Sequence, residues 1–303
     1  MPPVGGRRSE LAGHVALGCA GFSLSGADTS ERAGDVIRAA ADAGIWIFDS
    51  ARAYATPDDP LHNESLVARA LAGRDDVLIA TKGGHFRTGE RSWDVDNSPD
   101  RLRRDVDDSL RALGAEQIGL YFLHRSDGRA GLEGRDASPD PIGASVAALD
   151  ELRRQGKLAR VGLSNVTVAQ LHEALAIAPI DAVQNRLSAL DMEKPDVLRY
   201  CEELGIAFFA YSPLRDGGVG PLAAQRFPRT FAAARSRGVS LQRVLLRGLL
   251  VSSCSVSLVV GAGQVSTATD AAAAMREHWD DELATAFCAD RHAWGTACPR
   301  GDG

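Results

Sequence analysis

Short apolar runs recur along the chain, separated by longer stretches in which apolar positions return every three or four residues. The first spacing predicts buried strands and the second amphipathic helices. Strands are expected at 14–23, 45–50, 77–81, 118–124, 159–165, 181–188, 206–213 and 256–263. Helices are expected at 30–44, 63–71, 98–114, 142–155, 167–178, 195–205, 228–237, 241–250, in a stretch through Met275, and at 281–294. Several ends carry recognisable signals. Ser98 and Pro99 open one helix with cap and first-position residues, Leu102, Val106, Leu110 and Leu113 line its apolar face, and Gly114 closes it. Met192 and Met275 read as packing residues, Trp46 as core, and Asp105, Asp107 and Asp108 as a solvated helix face.

Eight apolar strands alternating with helices imply a parallel sheet covered on both faces. Eight such units in 303 residues fit a closed (β/α)8 barrel of the α/β class better than an open sheet. An open dinucleotide fold carries G-x-G-x-x-G after its first strand, whereas GCAGFSLSG at 18–26 lacks that spacing. The expected organisation is a loose segment over 1–13 followed by one barrel domain with C-terminal helices over 14–303. Polar stretches at 84–98, 125–141 and 216–227 are expected as loops above the barrel mouth. The first is expected to lack regular structure.

Charge and composition narrow the partners. Arginine and lysine number 34 against 40 acidic residues, a formal charge of −6, which argues against nucleic acid or an anionic membrane as partner. No signal-peptide core or membrane-length apolar run occurs, so a cytoplasmic protein is expected. The cysteines, Cys19, Cys201, Cys254, Cys288 and Cys298, lack metal-binding spacing. They read as free thiols in a reducing compartment, with no metal site.

Four ionisable groups stand at or just beyond strand ends. IFDSARAY brings Asp49 and Tyr54, VLIATKGG brings Lys82, and IGLYFLH brings His124. In a parallel barrel these ends converge on one face. An ammonium following VLIAT is buried and calls for a carboxylate, for which Asp49 on the neighbouring strand is the natural source. A lysine ammonium roughly 4 Å from a phenol is worth up to ~4 kcal/mol at an effective dielectric of 20. It is expected to draw the Tyr54 phenol below its usual pKa, with Asp49 offsetting part of the effect. Tyr54 then acts as general acid or base, and His124 orients the same oxygen. His85, Trp93 and Arg125 adjoin the site as candidate substrate contacts.

FDSARAY, ATKGG, YFLHRSD, GKLARVGLSN, AVQNRLS and AYSPL, in this order, resemble the motifs of the aldo/keto reductase superfamily. The resemblance implies a catalytic tetrad at Asp49, Tyr54, Lys82 and His124 and a nicotinamide cofactor, NADP(H) with NAD(H) as the alternative. It places the carboxamide on Ser164, Asn165 and Gln184, the nicotinamide ring on Tyr211, and the pyrophosphate along Ser212 and Leu214. The implied reaction is hydride transfer between the cofactor and a small-molecule carbonyl or alcohol, with Tyr54 exchanging the proton. After the last strand many members carry an arginine for the 2′-phosphate, then a glutamine and a Glu-Asn pair. Here GAGQVSTATDAA puts Gly263 at the arginine, Thr267 at the glutamine and Asp270-Ala271 at the pair. Gly261, Gly263, Gln264 and Thr267 are then the adenine-side candidates, with Ser266 and an arginine from a neighbouring helix as alternative contacts. The departure leaves open a relaxed NADP preference, or a redox-neutral lyase or isomerase on the same acid/base site.

Overall fold

The computed structural model describes residues 9–24, 30–89, 92–124, 142–191, 194–215 and 221–293. In chain order the first half contains β1 (Val15–Gly18), α1 (Gly21–Leu24), α2 (Ser30–Asp42), β2 (Ile47–Asp49), α3 (His62–Ala70), β3 (Leu78–Gly83), β4 (His85–Gly89), β5 (Ser92–Val95), α4 (Pro99–Leu113), β6 (Leu120–Leu123) and α5 (Gly143–Arg154). The second half contains β7 (Val161–Ser164), α6 (Val168–Leu175), β8 (Ala182–Arg186), α7 (Asp196–Leu204), β9 (Ala207–Tyr211), α8 (Pro221–Arg226), α9 (Pro228–Ser236), α10 (Leu241–Val251), β10 (Val256–Gly261), α11 (Val265–Ala273) and α12 (Asp281–Ala293). Strands β1, β2, β3, β6, β7, β8, β9 and β10 pair in parallel in that order and close on β1. The expected eight-stranded (β/α)8 barrel is therefore present, with helices around it.

Side chains of successive strand residues point to opposite faces, and the two faces bury different cores. Ala16, Ile47, Ala80, Leu120, Phe122, Ala182, Ala207, Phe209 and Val259 fill the barrel. Leu17, Phe48, Tyr121, Leu123, Leu163, Val183, Phe208 and Val260 pack outward against the helices. Continuing the inward set toward the strand ends places Asp49, Lys82, His124, Ser164, Gln184 and Tyr211 at the barrel mouth. The polar site is thus the top layer of an otherwise apolar column.

Helix ends follow their signals. Ser98 Oγ accepts from Arg101 N–H at 3.3 Å, and Gly114 ends α4 at φ 62°. Thr167 and Gln170 form a reciprocal capping box on α6.

Several expectations change, among them the loop expected at 216–227, where residues 221–226 form α8. The first strand is shorter than predicted, and the chain turns into α1 from Gly21. Residues 85–95, expected without regular structure, hold the antiparallel pair β4 and β5, with Phe86 opposite Asp94 and Arg87 opposite Trp93. Within the segment expected to be loose, Leu11 and Ala12 are buried among the barrel-filling residues. There Ser257 Oγ donates to Leu11 O at 2.7 Å. Finally, Cys19, Cys201 and Cys254 are free, but Cys288 on α12 is disulfide-bonded. Pairing depends on how the chain folds back, which spacing does not record, and cysteine usage no longer argues for a reducing compartment. Among the described residues no helix is long and apolar enough to cross a membrane.

Candidate active site

Lys82 is fully buried, and its ammonium is held by three oxygens. Nζ donates to Asp49 Oδ2 at 2.7 Å, to Ser50 O at 2.8 Å and to Tyr54 Oη at 3.4 Å. The second carboxylate oxygen of Asp49 accepts from Gln184 Nε2 at 2.8 Å. A buried ion pair needs such added hydrogen bonds to offset the loss of water around both charges. Lys82 also lies 5.0 Å from the centroid of the Tyr54 ring. Beneath the pair, Cys19 N–H donates to Asp49 O at 2.9 Å. Burial pushes the Cys19 thiol well up, so it stays a neutral packing group.

Tyr54 is carried by a short turn, in which its N–H donates to Ala51 O at 3.0 Å. Its ring meets the His124 ring edge-on at 5.8 Å between centroids. His124 is anchored through its backbone, donating from N–H to Gly83 O at 3.0 Å and accepting from Asn165 Nδ2 at 3.0 Å. The four residues predicted as a tetrad therefore form one connected cluster at the mouth.

The protonation balance differs from the pairwise expectation. Burial raises the Tyr54 phenol; Lys82 lowers it, Asp49 raises it again, and the net direction is upward. Removal of the phenolate from water outweighs the pull of the lysine, although the ring keeps partial contact with solvent. Lys82 feels the same burial in the opposite sense. Asp49 and Tyr54 more than offset it, and its ammonium is held above the ordinary lysine range. The resting state is a protonated phenol beside a charged lysine.

Beside the tetrad lies a polar shelf built from the ends of β7, β8 and β9. Ser164 Oγ donates to Gln184 O at 2.8 Å. Asn165 Nδ2 donates to Ser164 Oγ at 3.1 Å, and Asn165 Oδ1 accepts from Tyr211 Oη at 2.8 Å. Asn165 and Ser212 both adopt positive φ, 58° and 51°, a conformation that is uncommon for residues with side chains and clusters at ligand-binding turns. Leu214 is buried in the outer core, so its backbone alone is left to face a ligand. Farther round, Gly261 at the end of β10, Gly263 and Gln264 in the turn that follows, and Ser266 and Thr267 at the start of α11 are all exposed. A Cβ added at Gly261 or Gly263 would meet nothing within 4 Å. This open floor beside paired amide donors and acceptors fits an extended ligand with a carboxamide head. Asp270, which the resemblance placed at the adenine side, is bound by Ser240 Oγ and by Arg243 Nε at 2.9 Å and Nη2 at 2.6 Å.

The substrate candidates lie on the hairpin. His85 meets His124 edge-on at 4.8 Å, and Trp93 lies 6.4 Å from His85. Trp93 Nε1 donates to Ala53 O at 3.3 Å. Arg101 stacks on Phe86 at 3.9 Å, which fastens the hairpin to α4. Arg125 lies outside the described residues.

An eight-stranded parallel barrel thus carries, at its strand ends, a buried Lys-Asp pair beside a tyrosine and a histidine. The chain matches the aldo/keto reductase family over residues 14–287 and belongs to it. It is 30% identical over 249 residues to pyridoxine 4-dehydrogenase of Escherichia coli, covering 82% of each chain. It is 31% identical over 214 residues to an NADP(+) aldo-keto reductase of Schizosaccharomyces pombe, covering 67% of this chain and 58% of that protein. The chain spans a little over half the length of the first curated relatives it matches. The glycerol dehydrogenase of Gluconobacter oxydans superposes with TM-score 0.73 at 25% identity, covering 95% of this chain and 93% of that one.

Proposed function

We propose that this protein reduces a carbonyl to an alcohol, and runs the reverse reaction, with a nicotinamide cofactor as hydride partner. The observation that carries the reading is Tyr54 Oη held 3.4 Å from Lys82 Nζ, with Asp49 2.7 Å behind the ammonium. A nicotinamide cofactor, when bound, would supply or accept the hydride. In reduction, Tyr54 gives its phenolic proton to the carbonyl oxygen as the carbon receives the hydride. The phenolate left behind is stabilised by the Lys82 ammonium, whose charge Asp49 preserves. His124 hydrogen-bonds the same oxygen and fixes its direction.

Ser164, Asn165 and Gln184 would hold the carboxamide, and Tyr211 would offer a ring face for the nicotinamide. The backbone from Ser212 to Leu214 and the open floor at Gly261, Gly263, Gln264 and Thr267 take the rest of the dinucleotide. NADP(H) is the favoured form, supported by the Schizosaccharomyces pombe relative. Gly263 offers no charge-assisted contact to a 2′-phosphate, a loss of ~1.5–3 kcal/mol, so NAD(H) is also accepted. Substrate sits between the tetrad and the hairpin, against His85 and Trp93, with Arg125 as a further contact. Pyridoxine belongs in the first panel because the Escherichia coli relative is named for it.

Steady-state rates across pH, with NADPH and with NADH, test the reading. Because burial raises the Tyr54 phenol, the acid form persists through neutrality. Reduction is expected to hold level there and to fall only on the alkaline side, while alcohol oxidation rises over the same range. Absence of nicotinamide turnover with any carbonyl or alcohol would refute the assignment.

A further inference from the structure

Read from the sequence, Asp105 lies on a solvated helix face, but in the structure it is 1% exposed. Its carboxylate reaches from α4 to the top of β3. Oδ2 accepts from Gly84 N–H at 2.9 Å, and Oδ1 accepts from Arg101 Nε at 2.8 Å. Arg52 Nε stands 4.0 Å from the same Oδ1. Arg52 lies in the short segment between Asp49 and Tyr54. Its guanidinium also reaches Pro60 O at 2.5 Å and Asp108 Oδ2 at 3.1 Å.

Three successive backbone groups behind Lys82 are thereby tied to three parts of the site. Lys82 O accepts from Arg52 N at 3.0 Å, which joins it to the turn that carries Tyr54. Gly83 O accepts from His124 N at 3.0 Å. Gly84 N–H is taken by Asp105, the one side chain in this fastening among the described residues. Gly84 has φ +82°, and from this corner the chain leaves for the hairpin that bears His85 and Trp93. Room for a looser arrangement is small, since a Cβ on Gly83 would lie 2.0 Å from Tyr121 Oη and 3.0 Å from Asp105 Cβ.

We propose that Asp105 is a positioning residue for proton transfer: by gripping Gly84 N–H it sets Lys82 against Tyr54 and fixes the direction in which the hairpin departs. The inference rests on the reductase reading above. Asp105 touches neither the phenol nor a reacting atom and acts through the strand end. The charged and titratable groups facing Tyr54 are Lys82, Asp49, Cys19 and His124. Those facing Asp105 are Arg52, Arg101, Glu64 and Tyr121. Asp105 thus reaches the phenol by geometry, because the direct field acting on Tyr54 comes from its own neighbours.

Asp105→Leu and Asp105→Asn separate the hydrogen bond from the charge, since an asparagine oxygen still accepts from Gly84 N–H while the carboxylate charge is gone. The leucine variant is expected to lose kcat roughly tenfold, on the scale that a sub-ångström misplacement of catalytic groups costs. Its KM for NADPH should stay within about twofold of wild type, because the nicotinamide shelf is built from other strands. Its alkaline limb for reduction should move to higher pH as Lys82 withdraws from the phenol. The asparagine variant should recover most of kcat and the original limb.

A leucine variant with wild-type kcat, or an asparagine variant as impaired as the leucine, overturns the proposal while the reductase reading stands. A wild-type protein with no carbonyl reduction removes both. Should the leucine variant fail to fold, Arg52→Lys provides a second handle on the same fastening. It keeps the charge but loses the forked contacts to Pro60 and Asp108. It is expected to lower kcat severalfold at unchanged KM, and an unchanged kcat would overturn the proposal.

Discussion

Tyr54→Phe should lower kcat for carbonyl reduction by about 10²–10⁴-fold, the range contributed by a positioned acid or base. Dinucleotide binding, followed by fluorescence titration, should remain within about twofold of wild type. The substitution removes one oxygen and keeps the ring that packs edge-on against His124. Ser164, Asn165, Gln184 and Tyr211, proposed above to hold the nicotinamide, form their hydrogen bonds without the phenol. What disappears is, among the described residues, the only group in contact with the Lys82 ammonium that can release a proton to substrate; Asp49 and the Ser50 carbonyl are acceptors. Retention of most of the turnover by the phenylalanine variant would show that another group, His124 foremost, donates the proton.

Lys82→Met is expected to cost stability as well as rate. Removing one partner of a buried ion pair leaves the other charge uncompensated and typically costs 3–5 kcal/mol. That is a large share of the ~5–15 kcal/mol that holds a folded protein together. Among the described residues Asp49 would keep only the Gln184 amide on its side chain, and Ser50 O would lose the ammonium that now satisfies it. In urea the unfolding midpoint should drop sharply with little change of slope. Adding Asp49→Asn to the methionine variant should restore part of the loss, since no bare carboxylate then remains buried. The double variant should stay catalytically poor, because the phenolate formed after proton donation has no cation beside it. A singly substituted protein as stable as wild type would mean that the pair is offset elsewhere.

The barrel was legible because its strands are apolar on both faces and their first polar residues fall where inward-pointing side chains leave the core. Ile47 and Asp49, or Ala80 and Lys82, differ by two positions and therefore share the barrel interior, one in the apolar column and one at its mouth. Tyr54 is off the strand, and only its pairing with Lys82 made its spacing meaningful. The cofactor side came from motif resemblance.

What escaped depends on contacts between distant segments. Asp105 falls at the buried-face spacing of α4 with Leu102, Val106 and Ser109, a position that exposed Asp107 lacks, but its charge marks it as solvated in sequence. Its burial follows from Arg52, Arg101 and Gly84 converging on it. The hairpin at 85–95 escaped for the same reason, because it is fastened by Arg101 on Phe86 and by Trp93 on Ala53. The direction of the Tyr54 shift was misjudged because the depth of burial is a property of the fold, whereas a pair of charges can be guessed from neighbouring strands.

The proposed turnover has Tyr54 and a nicotinamide cofactor acting together on one carbonyl. It is tested most directly by following the label from NADPH deuterated on the transferred face of C4 into product. With wild-type protein deuterium is expected on the new carbinol carbon while the hydroxyl proton comes from solvent-exchangeable positions, and Tyr54→Phe is expected to suppress both together. Product formed without deuterium at carbon would contradict it.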